Sequence, residues 1–164
     1  MAHKLQQDYL EKVKQLHPKY FSDVKILDIG SLDINGNNKF VFEHPYYYIG
    51  LDLGEGPNVD VICPGHLYDS GFLFDVTIST ECFEHDPEYD QSLIKIYSML
   101  KPNGLFVFTC ASTGRAEHGT RKSDSGSSLG TIGKLEDMYN KEIYLQSSNY
   151  FSNTQQIIDY LNEI

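Results

Sequence analysis

Hydrophobic positions along the chain gather into five short bursts, each bounded by a turn signal. The first holds Val24, Ile26, Leu27 and Ile29, with Asp28 as its only carboxylate, and runs into Gly30-Ser31. The second, residues 46–53, opens on Tyr46, Tyr47 and Tyr48 and ends on Asp52-Leu53 before Gly54. Residues 59–63, 74–80 and 105–110 repeat the pattern, the third run closed by Pro64-Gly65 and the fourth followed by Glu81. Near-continuous apolar runs of this length suit strands covered on both faces, as in a parallel sheet. The tyrosine run reads as alternating strand faces rather than an aromatic cage.

Helical spacing fills several of the gaps. Leu5, Tyr9, Val13 and Leu16 form a stripe over residues 5–17, and His17-Pro18 stops it. The stripe predicts a helix packed on the sheet, with a lid over a ligand as the alternative. A short helix is expected over residues 39–43, ended by His44-Pro45. Asp86 suits a cap and Pro87 a first turn, and the helix they open carries Tyr89, Leu93, Ile96, Tyr97 and Leu100 as its apolar side. Lys101-Pro102-Asn103-Gly104 then turns into the fifth strand. Asn153 or Thr154 caps a last helix that buries Ile157, Ile158, Leu161 and Ile164. Strands alternating with helices predict one α/β domain over residues 1–164, an open and mostly parallel sheet with helices on both faces.

Two strand ends carry the candidate chemistry. Open α/β sheets bind ligands at the carboxyl edge of their strands, and a glycine turn there lets backbone approach a ligand. Asp52 stands 22 residues beyond Gly30, the spacing that sets a carboxylate on a ribose diol. Gly30 and Asp52 together point to an adenosine-type ligand. The segment after Gly30 is not G-x-G-x-x-G, because Leu32 stands between Gly30 and Gly36. Those glycines bring a pyrophosphate onto a helix N-terminus, so a nicotinamide or flavin nucleotide is disfavoured and a ligand without phosphates is not.

Composition narrows the partners. The 164 residues carry a formal net charge of −10, with 40% hydrophobic and 22% charged residues, a globular balance. That charge disfavours unaided binding to nucleic acid or to an anionic membrane surface. The first eight residues have no apolar core of a signal peptide, and no run approaches a membrane span. Cys63, Cys82 and Cys110 are irregularly spaced and fit neither a disulfide framework nor a zinc pattern, so no metal is expected and the location is expected to be cytoplasmic. From residue 112 to 133 large apolar clusters vanish, and the stretch is expected to be a flexible loop. Its Arg115, Arg121 and Lys122 either draw an anionic substrate or are simply solvated.

The ordered set of motifs resembles the class I S-adenosylmethionine-dependent methyltransferases, in the broad group labelled type 11. The matching pieces are Ile26-Leu27-Asp28-Ile29-Gly30-Ser31, Ile49-Gly50-Leu51-Asp52, Phe74-Asp75-Val76-Thr77-Ile78-Ser79 with Glu84-His85, and Leu100-Lys101-Pro102-Asn103-Gly104-Leu105. Together they span residues 24–110. The resemblance implies a Rossmann-like sheet with S-adenosyl-L-methionine as cofactor. Asp28, Gly30 and Ser31 would line its methionine end, Asp52 would hold the ribose hydroxyls, and Leu53 would lie beside the adenine. The family usually has an acid after the third strand; Pro64 stands near that place, so a backbone amide at Gly65 or the side chain of His66 would replace it. Thr80 and Glu81 would sit under the cofactor near the transferable methyl. The family's C-terminal strand hairpin has no counterpart in the pattern after residue 150, which leaves an exposed sheet edge and predicts pairing with a second copy.

The expected activity is therefore methyl transfer to an O or N nucleophile of a small-molecule substrate, the chain acting as an enzyme. His118, His85 and Glu81 are the candidate bases, with His118 and His85 as the catalytic pair. A structural histidine after the fourth strand is the plain reading of His85, and a solvated loop histidine that of His118. Asp52 has its own plain reading, a turn aspartate before Gly54. A truncated, catalytically silent cofactor-binding or interaction module is the competing function, and a nicotinamide-dependent oxidoreductase the third.

Overall fold

A computed structural model of the chain describes residues 4–111 together with Ala116 and His118. The rest of the expected loop at 112–133 and the expected last helix lie outside the described residues. Among the described residues five parallel strands form the sheet: β1 (Lys25–Ile29), β2 (Tyr47–Asp52), β3 (Val61–Ile62), β4 (Phe74–Thr80) and β5 (Leu100–Thr109). Their order is β3-β2-β1-β4-β5. The chain therefore winds outward from β1 in one direction and, after β3, crosses back to continue in the other. The reversal falls between β1 and β4, where the carboxyl ends of strands diverge and open a crevice.

Alternation within the strands divides the core in two. Ile26, Val76, Ile78 and Val107 face one side with Leu10, Phe21, Val24, Val41 and Phe42. Leu27, Ile29 and Leu51 face the other, with Phe74, Phe83, Leu93, Ile96 and Met99. The second side is covered by helix α2 (Tyr89–Met99). The first is covered by helix α1 (Lys4–Leu16) and by the short 3-10 turns Pro18–Tyr20 and Asn38–Val41.

Helix α1 forms where expected but turns a different side inward. Leu5, Tyr9 and Leu16 of the expected stripe are exposed, at 83%, 44% and 62%. Leu10 and Gln6 are buried instead, and Val13 packs beside them. Two apolar rows overlap on this helix, and the row containing Leu10 is the one that meets Phe21 and Val41. Helix α2 starts at Tyr89, after the expected Asp86-Pro87 opening. Asp86 accepts hydrogen bonds from the Glu88 amide (2.9 Å) and the Ser92 hydroxyl (2.6 Å), so it fixes the entry to the helix from outside. Tyr97 of the expected apolar side is 56% exposed, and Ser92 and Met99 take inward positions. The expected short helix at 39–43 is the 3-10 turn Asn38–Val41.

The turn at Lys101–Gly104 lies inside β5. Leu100 pairs with Phe74, and Leu105 pairs with Val76, so the intervening residues bulge out of the ladder. Asn103 takes a left-handed φ of 61° there. Tyr20 donates its hydroxyl to the Asn103 carbonyl at 2.6 Å, tying the bulge to the first layer.

Candidate functional site

Glycine chemistry shapes the carboxyl edge. Gly50 lies within β2, where a Cβ would stand 1.9 Å from the Asn58 carbonyl oxygen and 2.7 Å from Ser31 Oγ. Only glycine lets the loop after β2 fold back over the loop after β1. That return is stitched by Ser31 Oγ donating to the Asn58 carbonyl (2.9 Å), by Asn58 Nδ2 donating to the Ser31 carbonyl (2.8 Å), and by the Asp33 amide donating to the Pro57 carbonyl (3.0 Å). Gly30 has a φ of 77°, and a Cβ there would meet Cys82 Cβ at 2.6 Å. The close approach that Gly30 permits within the chain is to the Cys82 side chain.

The two acids of the edge differ in kind. Asp28 pairs across the ladder with Gly50, so it and Asp52 stand on neighbouring strands at one edge. Asp28 is sealed from solvent. Tyr48 donates its hydroxyl to Oδ2 (2.5 Å) and Asn38 its Nδ2 to Oδ1 (3.1 Å). Burial pushes the Asp28 carboxyl up to about 6, against the opposing pull of the Tyr48 and Asn38 hydrogen bonds. Asn38 also reaches Thr80 Oγ1 at 3.1 Å. A polar chain thus runs Tyr48–Asp28–Asn38–Thr80 from β2 through β1 to β4. Asp28 and Ser31, expected to line the methionine end of a cofactor, are buried here and spend these polar atoms on bonds inside the fold.

Asp52 is half-buried at the end of β2. Its Oδ2 accepts from the Leu32 amide at 3.1 Å and its Oδ1 from the Gly54 amide at 2.9 Å. A carboxylate offers about four lone-pair positions, so two remain for outside donors. The expected turn role before Gly54 is thus present, and it fixes the carboxylate without exhausting it. Leu53 follows at the same edge, half-buried. Gly65 and His66 lie in the 3-10 turn Gly65–Leu67, packed on α2. His66 Nδ1 is buried and makes no hydrogen bond.

Beyond β4, Glu81 adopts a left-handed φ of 53°, and its amide donates to the Thr109 carbonyl at 2.8 Å. Strain of about 1 kcal/mol or more at a non-glycine residue persists only where its surroundings hold it. Phe83 anchors the next turn, Phe83–His85, by lying edge-on to Phe106 and Phe108 at centroid distances of 6.1 and 5.8 Å. That anchor buries Glu84 almost completely, at 1% exposure. His85 and His118 stand 5.0 Å apart, ring edge to ring face. His118 Nε2 lies 3.7 Å from Glu84 Oε1. Burial alone would raise the Glu84 carboxyl, but the His118 hydrogen bond and the His85 charge overcome it and hold the group below its ordinary value. The sequence marks each histidine separately; their meeting with Glu84 depends on residues 33 positions apart. The adjacency Glu84-His85 was the only local signal.

The three cysteines are free, and burial raises the thiols of Cys63, Cys82 and Cys110. Among the described residues no helix is long and apolar enough to cross a membrane.

Comparison with protein-family models and with curated proteins finds no match. Solved structures do match. Phosphoethanolamine N-methyltransferase 2 of Haemonchus contortus, in complex with S-adenosyl-L-methionine, aligns with a TM-score of 0.57 at 21% identity, over 96% of this chain and 36% of that one. The N-methyltransferase NodS of Bradyrhizobium japonicum aligns with a TM-score of 0.54 at 14% identity, over 96% and 81%. The 1,6-didemethyltoxoflavin-N1-methyltransferase of Burkholderia thailandensis, with bound 1,6-didemethyltoxoflavin and S-adenosylhomocysteine, aligns with a TM-score of 0.52 at 21% identity, over 65% and 52%. The chain spans 62% of NodS in its S-adenosylhomocysteine complex. With the strand order and the pinned carboxyl edge, these alignments show that the chain has the class I S-adenosylmethionine-dependent methyltransferase fold.

Proposed function

We propose that the chain binds S-adenosyl-L-methionine at the carboxyl edge of β1, β2 and β4 and transfers its methyl group to an O or N nucleophile of a small molecule. The observation that carries this reading is Asp52, oriented by two backbone amides with acceptor capacity left over. A ribose diol needs two such acceptor positions. The donor set supports the rest of the fit. His66 Nδ1 is a buried nitrogen without a hydrogen bond, on the turn where an adenine edge would arrive. Leu53 supplies apolar surface beside Asp52. Asp28 serves by holding Asn38 and Thr80 in place, and Gly30 by admitting Cys82.

The bound sulfonium supplies an electrophilic methyl group. The protein's part is to hold the acceptor in line with it, and positioning lowers such barriers by about 7–11 kcal/mol. Where the acceptor carries a proton, His118 or His85, backed by the ionised Glu84, takes it; Glu81 is the other carboxylate at this edge. Three free thiols favour a reducing, cytoplasmic location. β5 is an edge strand among the described residues, which supports pairing with a second copy; a monomeric mass by light scattering at micromolar concentration removes that part.

Calorimetric titration with S-adenosylhomocysteine and with NAD tests the cofactor. Binding of the first and not the second is expected, and failure of the first overturns the reading. Methyl-labelled cofactor offered with a panel of small amines and alcohols tests the enzyme. Tight binding without turnover on any of them supports the silent binding module instead.

A further inference from the structure

We propose that Glu84, His85 and His118 form a binding site for a borderline divalent transition metal such as zinc or cobalt. One donor atom from each of the three residues lies within 4.8 Å of the others. Two imidazoles and one carboxylate are a donor set that such ions take, with at least one coordination position left open. Ligand distances of about 2.0–2.2 Å put tetrahedral donors about 3.4 Å apart. Closing the present spacing therefore needs side-chain rotation of about 1.4 Å or less, with the backbone held.

The hydrogen bonding of His118 is the second, independent sign. Its Nδ1 lies 3.2 Å from the Ala116 carbonyl oxygen, the geometry of an N–H donated to backbone. A metal-binding histidine makes this outer contact with one nitrogen and presents the lone pair of the other. Here the other nitrogen, Nε2, faces Glu84 Oε1 at 3.7 Å. Nε2 and that carboxylate oxygen face each other across a gap that a shared ion would close. The carboxylate concerned is almost fully buried, and buried carboxylates are paired or coordinate metals.

The site does not depend on the nucleoside-binding edge of β2, since it is built on the turn after β4 and on the segment after β5. On the methyl-transfer reading, the open position takes the acceptor's own oxygen or nitrogen and lowers its pKa, in place of proton removal by either histidine. That clause alone rests on the proposed function.

The experiment is titration of the untagged chain with zinc by calorimetry, and with cobalt by visible absorption, both without any nucleoside. One ion per chain is expected, with affinity falling at least tenfold in His118→Ala and in His85→Ala. His17→Ala, at an exposed position just past the end of α1, should leave affinity unchanged. Glu84→Gln should also weaken binding, but its buried position makes folding a separate question, so His118→Ala decides. Equal affinity in the parent and His118→Ala, or no binding of either metal at submillimolar concentration, overturns the site. Either result leaves S-adenosylhomocysteine binding untouched, so the two readings fail separately.

Discussion

Asp28 and Asp52 come from the same kind of sequence, an acid at the end of an apolar run before a glycine, and the fold treats them oppositely. Asp28 is closed inside a chain of side chains, with both oxygens used by Tyr48 and Asn38. Asp52 is held only by backbone amides and keeps room for a donor from outside. A carboxylate gripped by side chains in the interior is a structural brace, and one gripped by backbone at an open edge keeps acceptor positions for a donor from outside. Burial raises the Asp28 carboxyl to about 6.

The contrast breaks most severely at Gly50, whose missing side chain lets the two loops meet. Gly50→Ala drives a Cβ into the Asn58 carbonyl and should cost about 3 kcal/mol in chemical denaturation. A loss under about 1 kcal/mol would mean that the loop contact is adjustable and that Asp52 is not fixed by it.

Asp28 carries a pH signature. Its folded pKa is raised from 3.8 to about 6, so its contribution to stability is full below the unfolded value. It is lost as pH rises through about 6, a change of about 3 kcal/mol. Asp28→Asn removes that slope. Across about pH 4 to 7 the stability of the parent relative to the variant should therefore fall by about 2.4 kcal/mol, most of that change. Parallel stability curves would show that Asp28 is not buried in the way described.

Tyr48→Phe sharpens the point, because it removes the hydrogen bond that opposes the burial of Asp28. Stability at pH 7 should drop by about 2 kcal/mol, with less loss near pH 4, where Asp28 is protonated. An equal loss at both pH values would assign the effect to packing alone.

Asp52→Ala is the converse. Stability should change by about 1 kcal/mol, because two backbone amides face water in its place. Affinity for S-adenosylhomocysteine should fall by about tenfold or more, read by calorimetry. A variant that loses stability but keeps affinity would leave Asp52 as nothing beyond a turn residue.

Much of this molecule is written locally. The five strand runs, the glycine turn and the acid after the second strand follow from apolar continuity broken by turn residues, and β4 spans the predicted residues 74–80. Glycine at position 50 and aspartate at 52 sit in one strand, so their spacing is covalent and visible. Which side of α1 turns inward was not visible, because Leu5, Tyr9 and Leu16 offer as good a helical row as Leu10 and Val13. Only Phe21 and Val41, arriving from later in the chain, choose between the rows. The fates of the two acids were likewise decided in three dimensions, by Asn38 crossing from a loop to Asp28 and Thr80. So was the meeting of Glu84 and His85 with His118, which requires β5 to lie parallel beside β4 and return its end to the same edge. Sequence fixes what is set by neighbours along the chain; burial, pKa and the convergence of distant donors belong to the folded state, because each depends on which surfaces exclude water together.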